Sequence, residues 1–181
     1  MRTGDGDIYV QKARAEVRAL ADRGVTLAGN AFSSVLFAKG EPNAAEREGA
    51  ALLSGEDGKA LRASLAALGY APEDWAAFGT CDDAGDPLDP DVVRLVVATL
   101  DPATVILCDT AATTAFCNAF PDELAAQPTF DEAMLSPGYV VQVLGMRVMS
   151  LGGFEAALAD ARQKQIMWAR LKQLPPLGEP Y

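Results

Sequence analysis

The chain has 181 residues, half of them apolar and 22% charged, and its 25 acidic against 15 basic side chains give a net charge of −10 at neutral pH with no histidine. Such a composition supports one globular domain over residues 1–181 and argues against disorder. Without an imidazole, serine and cysteine triads, histidine acid–base pairs and HExxH-type zinc sites are excluded, which leaves carboxylates, lysines, hydroxyls and thiols for any chemistry.

Residues 1–28 read as an N-terminal helix and lead-in. Asp7 is placed to cap a helix whose Val10, Ala13, Val17 and Leu20 share one face, with Gly24 closing it in a left-handed conformation. Charges interrupt every apolar cluster here, so neither a secretory core nor a span of about 20 apolar residues is expected. A cytoplasmic location and no membrane association follow as expectations. Ser33 to Ala38, SSVLFA, reads as a strand buried on both faces, followed by a Gly-Glu-Pro-Asn turn. Leu61, Leu65 and Leu68 share a face of a helix over Gly58 to Leu68, which Gly69 ends. Asp74 to Thr80 is a weaker strand pattern, and Asp89-Pro90 supplies a cap and first-turn proline for a helix from Pro90 to Leu100.

Thr104 to Asp109, TVILCD, is the clearest strand, and a helical pattern follows it. YVVQVLG and MRVMSL give further extended segments. A long last helix is predicted over Phe154 to Leu174, with Leu158, Ala161, Trp168 and Leu171 inward. The proline-rich tail, 175–181, is expected on the surface. Alternating strands and helices predict an α/β fold with a mostly parallel sheet, whose ligands bind where loops leave the strands' carboxyl ends. Those loops are Lys39 to Gly55, Cys81 to Pro87, Thr110 to Thr114 and Ser150 to Phe154.

Charge is unevenly spread: between Gly69 and Gly145 thirteen acidic residues face Arg94 alone. Duplex DNA binding is therefore expected to be weak or absent, since nonspecific affinity comes largely from neutralised phosphates. Asp82, Asp83, Asp86, Asp89 and Asp91 read as a solvated loop and helix start, with a metal loop or a DNA-mimicking face as the sharper alternatives. Cys81, Cys108 and Cys117 are odd in number and lack CxxC spacing, which predicts no disulfide framework, zinc ribbon or iron–sulfur cluster. Neither a metal site nor a cofactor is expected. GEDGKA, Gly55 to Ala60, has part of a phosphate-loop pattern but lacks the full spacing and the following Ser/Thr.

The segment from Ala28 to Trp75, with Val35-Leu36-Phe37, the Lys39 to Asn43 loop, Gly49 to Gly58 and Leu68-Gly69, resembles the uracil-DNA glycosylase superfamily, especially its bacterial and archaeal iron–sulfur branch. That branch has a strand ending in a GEAPG-type loop, an acidic stretch, a G-x-P-F-x-G-x-x-G segment and a helix ending in Leu-Gly. The resemblance resumes over Pro87 to Phe116 and covers most of the chain after Ala28. It implies a three-layer αβα sandwich with a central four-stranded parallel sheet. The cysteine pair expected before the first strand is absent, so the resemblance does not extend to a cluster.

Functional positions follow the family less closely. The loop carboxylate that orients water falls at Glu41, directly before Pro42, while Gly40 occupies the position that the GEAPG branch gives its glutamate. A solvated turn residue is the other reading of Glu41. Asn43 completes this loop. The aromatic that stacks on the flipped base falls at Leu52, which has no π-face, and the strand-end Asn that reads the base edge falls near Thr80. The His-Pro-Ser loop is replaced by Ser150, Leu151, Gly152, Gly153 and Phe154. Leu151 stands either as a wedge into DNA or as an ordinary loop leucine. Asp109 and Thr110, at the end of the clearest strand, stand as ligand contacts or as a helix cap.

Two functions stay open on this reading. One is a divergent glycosylase-like protein without base excision, acting as a binding or structural module for an unidentified small molecule or protein. The alternative is an active N-glycosidase on a nucleobase, with Glu41 positioning water and backbone amides in the histidine's electrostatic role. Oligomeric state leaves no signal in the sequence.

Overall fold

The computed structural model describes residues 4–178, with side chains from Gln11 onward. Along the chain lie α1 (Gly4–Asp22), β1 (Leu27–Gly29), β2 (Val35–Lys39), α2 (Ala44–Arg47), α3 (Glu56–Leu68), β3 (Ala76–Gly79), α4 (Pro90–Leu100), β4 (Thr104–Leu107), α5 (Thr110–Ala119), α6 (Pro121–Ala125), α7 (Phe130–Ala133), β5 (Val141–Val143), β6 (Met146–Ser150), α8 (Phe154–Ala157) and α9 (Ala161–Leu171). The sheet has six strands where four were expected, in the order β1-β3-β2-β4-β6-β5. Inner neighbours pair in parallel, with Phe37 opposite both Ala77 and Ile106, while β1 and β5 add antiparallel edges. Val35–Phe37 and Thr104–Leu107 are thus adjacent parallel strands at the sheet's centre, and the first is buried on both faces as its continuous apolar run predicted.

Period-two alternation divides the core. Leu36 and Ala38 join Leu20, Val93, Val96 and Phe116 on the face covered by α1, α4 and α5. Val35 and Phe37 join Leu61, Leu65, Phe154, Met167 and Leu171 on the opposite face, under α3, α8 and α9. Helices therefore cover both faces of the sheet, and Val35, Leu36, Phe37 and Ala38 are each at most 1% exposed.

Several local signals act as read. Asp89 caps α4 by accepting from the Asp91 amide, Gly69 ends α3 at φ 102°, and Gly24 adopts φ 85°. Others need correction. The chain is already helical at Gly4, so Asp7 lies inside α1 and is not its cap, and the Val10 side chain falls outside the described ones. The expected last helix is two helices, because Asp160 accepts from the Arg162 and Gln163 amides and starts a new one, leaving Ala161 exposed. Leu174, which begins the proline-rich stretch, is 1% exposed. The Tyr70 hydroxyl donates to the Leu174 carbonyl (2.8 Å), and Arg147 Nη2 donates to the Pro175 carbonyl (2.8 Å) and to Thr104 Oγ1 (2.9 Å). Residues 175–178 are exposed, and 179–181 lie outside the described residues.

Candidate functional site

β2 carries a lysine at its buried end: Lys39 is 3% exposed. A buried ammonium is tolerated only when paired and hydrogen-bonded. Its Nζ donates to Glu46 Oε1 (2.6 Å) on α2, Asp57 Oδ2 (2.7 Å) on α3 and Glu155 Oε2 (3.0 Å) on α8. An ammonium has three donors, so Lys39 is saturated. Burial alone would pull its pKa down, but the hydrogen bonds to Asp57, Glu46 and Glu155 outweigh it and hold the group above the ordinary lysine value. Burial raises Glu46 against the opposing pull of Lys39. One oxygen of this acid, Oε2, is buried with no hydrogen-bond partner. Asn43 caps α2 through the Glu46 amide (3.0 Å) and donates to Glu155 Oε1 (2.9 Å), which joins the same cluster.

A sign follows for alkaline stability. With its folded-state pKa above the ordinary 10.5, Lys39 contributes fully below about pH 10.5, and that contribution is lost as pH rises through the folded value. Tyr70, raised above 10.0 chiefly by burial, acts in the same direction. The Cys81, Cys108 and Cys117 thiols, raised above 9.0 chiefly by burial, act in the same direction at lower pH. Urea midpoints are therefore expected to hold between about pH 7 and 8, to begin falling near pH 9 and to fall further by about pH 11.5; a flat profile to that pH contradicts the assignment.

Asp109 occupies the centre of the strand ends. Its carboxylate accepts from the amides of Gly40 (3.0 Å), Glu41 (2.9 Å) and, as the cap of α5, Ala112 (2.8 Å). The capping role that the sequence offered is real, and the same carboxylate also clamps the β2 loop. Gly40 permits this approach: a Cβ there would lie 2.6 Å from Thr80 Oγ1 and 2.7 Å from both Ala111 Cβ and the Ala112 amide nitrogen. Gly40 and Thr80 therefore pack against protein at this point. Glu41 is exposed and lines, with Asp109, Gly153 and Phe154, a space of about 50 Å³, room for a few water molecules.

The last loop is fastened to the same place. Thr110 Oγ1 donates to the Gly152 carbonyl (3.1 Å), the Thr113 and Ser150 hydroxyls are 2.7 Å apart, and the Leu151 amide donates to the Leu107 carbonyl (2.8 Å). Leu151 is 0% exposed. The wedge reading of Leu151 is thereby corrected, since a side chain inside the core cannot enter DNA. Thr110, Ser150 and Gly152 act here as internal fastenings.

A larger cavity, about 680 Å³, opens beside α2 at the carboxyl ends of β2 and β3. Lys39, Pro42, Glu46, Leu52, Gly79 and Cys81 contribute to its walls, with Arg47, Glu48, Asp82 and Asp83 toward its rim. Leu52 and Pro42 thus line one cavity. Glu41, Asp109 and Gly153 line the small space instead. The acidic loop shapes the outer wall: Asp82 Oδ1 accepts from the Ala84 (3.0 Å) and Asp86 (2.9 Å) amides, and Asp83, Asp86, Asp89 and Asp91 are exposed. Cys81 is raised by burial and by nearby Asp82.

Among the described residues, no group of three or more Cys, Asp or Glu side chains is arranged to hold a metal ion, and no helix is long and apolar enough to cross a membrane. Sequence reading missed Lys39, Glu46, Asp57 and Glu155. The available signals were a lysine closing a buried apolar run and the acidic start of α3. No protein-family model matches the chain, and no curated protein is significantly similar to it.

Proposed function

We propose that the chain is a divergent uracil-DNA glycosylase-like protein that has lost base excision and serves as a ligand-binding module, its ligand occupying the 680 Å³ cavity beside α2. The four inner strands and the helices on both faces fit the three-layer arrangement that the resemblance implies. One observation carries the reading: the cavity has Leu52 where the family stacks an aromatic on the base, and its walls contain no aromatic ring and no carboxamide. The missing histidine removes the remaining electrostatic element. Losing one preorganised donor costs about 2.7–4 kcal/mol in the transition state, and losing the stacking platform about 1–3 kcal/mol in base capture.

A glycosylase assay on oligonucleotides containing uracil, hypoxanthine or xanthine tests this. Excision is expected at least about 1,000-fold below a competent relative, with Glu41→Gln making little difference to whatever activity remains. The second reading, an active N-glycosidase, has one observation in its favour, the small space that Glu41 shares with Asp109. Excision at an ordinary rate that Glu41→Gln abolishes would establish that reading and overturn the first. Polyanion binding is disfavoured by the stretch from Gly69 to Gly145. Arg94, the single base among thirteen carboxylates, is held by Glu123 Oε1 (2.9 Å) and by the Ala119 carbonyl (2.9 Å). Duplex DNA is expected to bind no tighter than about 10 µM at physiological salt; half saturation well below that in a titration contradicts it.

A further inference from the structure

We infer that the chain pairs with a second copy of itself, the exposed apolar knob at α7 of each copy seating in the groove that α3, α8 and α9 form on the other. Helical spacing builds the knob. Phe130 and Met134 stand one turn apart, joined by the Met134 amide and the Phe130 carbonyl (2.9 Å), and are 78% and 55% exposed. Tyr139, 44% exposed, reaches the same helix through its hydroxyl, which donates to Asp131 Oδ2 (3.3 Å). Single apolar side chains on a surface are ordinary, whereas a group of large ones marks an interaction site. This group is also held still. Thr129 and Glu132 form a capping box, the Ser136 hydroxyl donates to Asp131 Oδ1 (2.9 Å), and buried Leu135 fixes the end of α7 to the core. A knob that is already rigid loses little freedom on docking.

The groove is the knob's counterpart in size and charge. It encloses about 540 Å³, lined by buried Phe154, Met167 and Leu171 and by half-buried Ala60, Leu158 and Trp168. Residues 121–145, which carry the knob, hold four acids and no base, whereas residues 161–174, which carry α9, hold four bases and no acid. Of those bases Arg162, Lys164 and Lys172 are exposed, and none forms an ion pair among the described residues. Glu56, the acid of the groove, is engaged by Lys59 (3.0 Å). An acidic knob therefore meets unpaired cations, and complementarity of that kind fixes register and discriminates against other partners. Both features flank one helix. Gln173 donates to the Gly138 carbonyl (3.0 Å), and a Cβ at Gly138 would lie 3.2 Å from Arg170 Cγ, so the loop after α7 packs along one side of α9. Lys164, Trp168 and Leu171, spaced i, i+4 and i+7, put the groove along another side. A two-fold axis alongside α9 lets each copy give a knob and receive one, which closes the assembly at a dimer.

Sedimentation equilibrium of the full chain tests this, over protein concentrations from about 1 to about 200 µM. A species of twice 19.0 kDa is expected, with a Kd on the order of 10 µM. Phe130→Ser and Lys164→Glu change exposed side chains outside the core, so both variants are expected to keep the circular dichroism of the parent. Phe130→Ser is expected to weaken pairing at least about tenfold and Lys164→Glu about fivefold. With p-benzoylphenylalanine in place of Phe130, irradiation is expected to give a cross-linked dimer whose adducts, mapped by mass spectrometry, fall on α3, α8 or α9. A monomer at every concentration would overturn the second copy as the occupant, and masses above the dimer would overturn the two-fold arrangement. A dimer that either substitution leaves unchanged, or adducts confined to other elements, would overturn the contact between knob and groove.

Discussion

Replacing Lys39 by methionine is expected to lower the unfolding free energy by about 3–5 kcal/mol, the usual cost of removing one partner from a buried ion pair. The side chain has nearly the same length, so the volume is kept and the loss is electrostatic. Glu46 and Asp57, both 3% exposed, would be left beside Glu155 with no cation among them. For a chain of this size about 2–4 °C of melting temperature accompanies each kcal/mol, which predicts a fall of about 6–20 °C in a thermal melt. Lys59→Ala is the control. Its pairing with Glu56 joins side chains that are 66% and 83% exposed, and its removal is expected to change stability by less than about 0.5 kcal/mol. Equal effects of the two substitutions would show that the Lys39 cluster is not the internal support described above.

Asp109→Ala is expected to cost about 3 kcal/mol and to loosen the loop after β2. One part is the lost cap of α5, typically about 1 kcal/mol. The rest comes from the amides of Gly40 and Glu41, which lose their acceptor, at about 1–3 kcal/mol for a donor left buried. Water does not easily replace the carboxylate at Gly40, because Thr80, Ala111 and Ala112 crowd that residue. Asp109→Asn keeps one carbonyl acceptor and is expected to retain about half of the stability that Asp109→Ala loses. Urea unfolding of the three proteins checks the order, which fails if alanine and asparagine are equivalent.

The parts of the fold most legible in the sequence are those where a single physical rule acts over several residues. SSVLFA and TVILCD are apolar without interruption because parallel strands covered on both faces need no polar alternation. Asp89-Pro90 marks the start of α4 because a cap and a proline solve the same problem of unpaired amides. Of the two antiparallel edges, β5 lies inside YVVQVLG, which reads as extended without showing its direction, whereas β1 has three residues, too few for a period to show. The same holds for α2, with four residues. At Asp160 the helical pattern continued on both sides, and a strong cap inside it was read through. The site failed to declare itself for a different reason. A lysine after an apolar run normally marks an exit to solvent, and the three acids that keep Lys39 inside lie 7, 18 and 116 residues away.

Lys39 also decides how anything could enter the 680 Å³ cavity. Its three donors run to α2, α3 and α8, so none of these elements can swing outward alone without leaving the ammonium a partner short. Their motions are tied together, and the inner wall behaves as one piece. The opposite wall has no such tether at its tip. Ala84 and Gly85 are held chiefly through Asp82, within the same turn, and the side chains from Asp83 to Asp86 are exposed. Traffic is therefore expected across the acidic turn, with the walls around Lys39 stationary, and the first charges that an arriving molecule meets are Asp82 and Asp83.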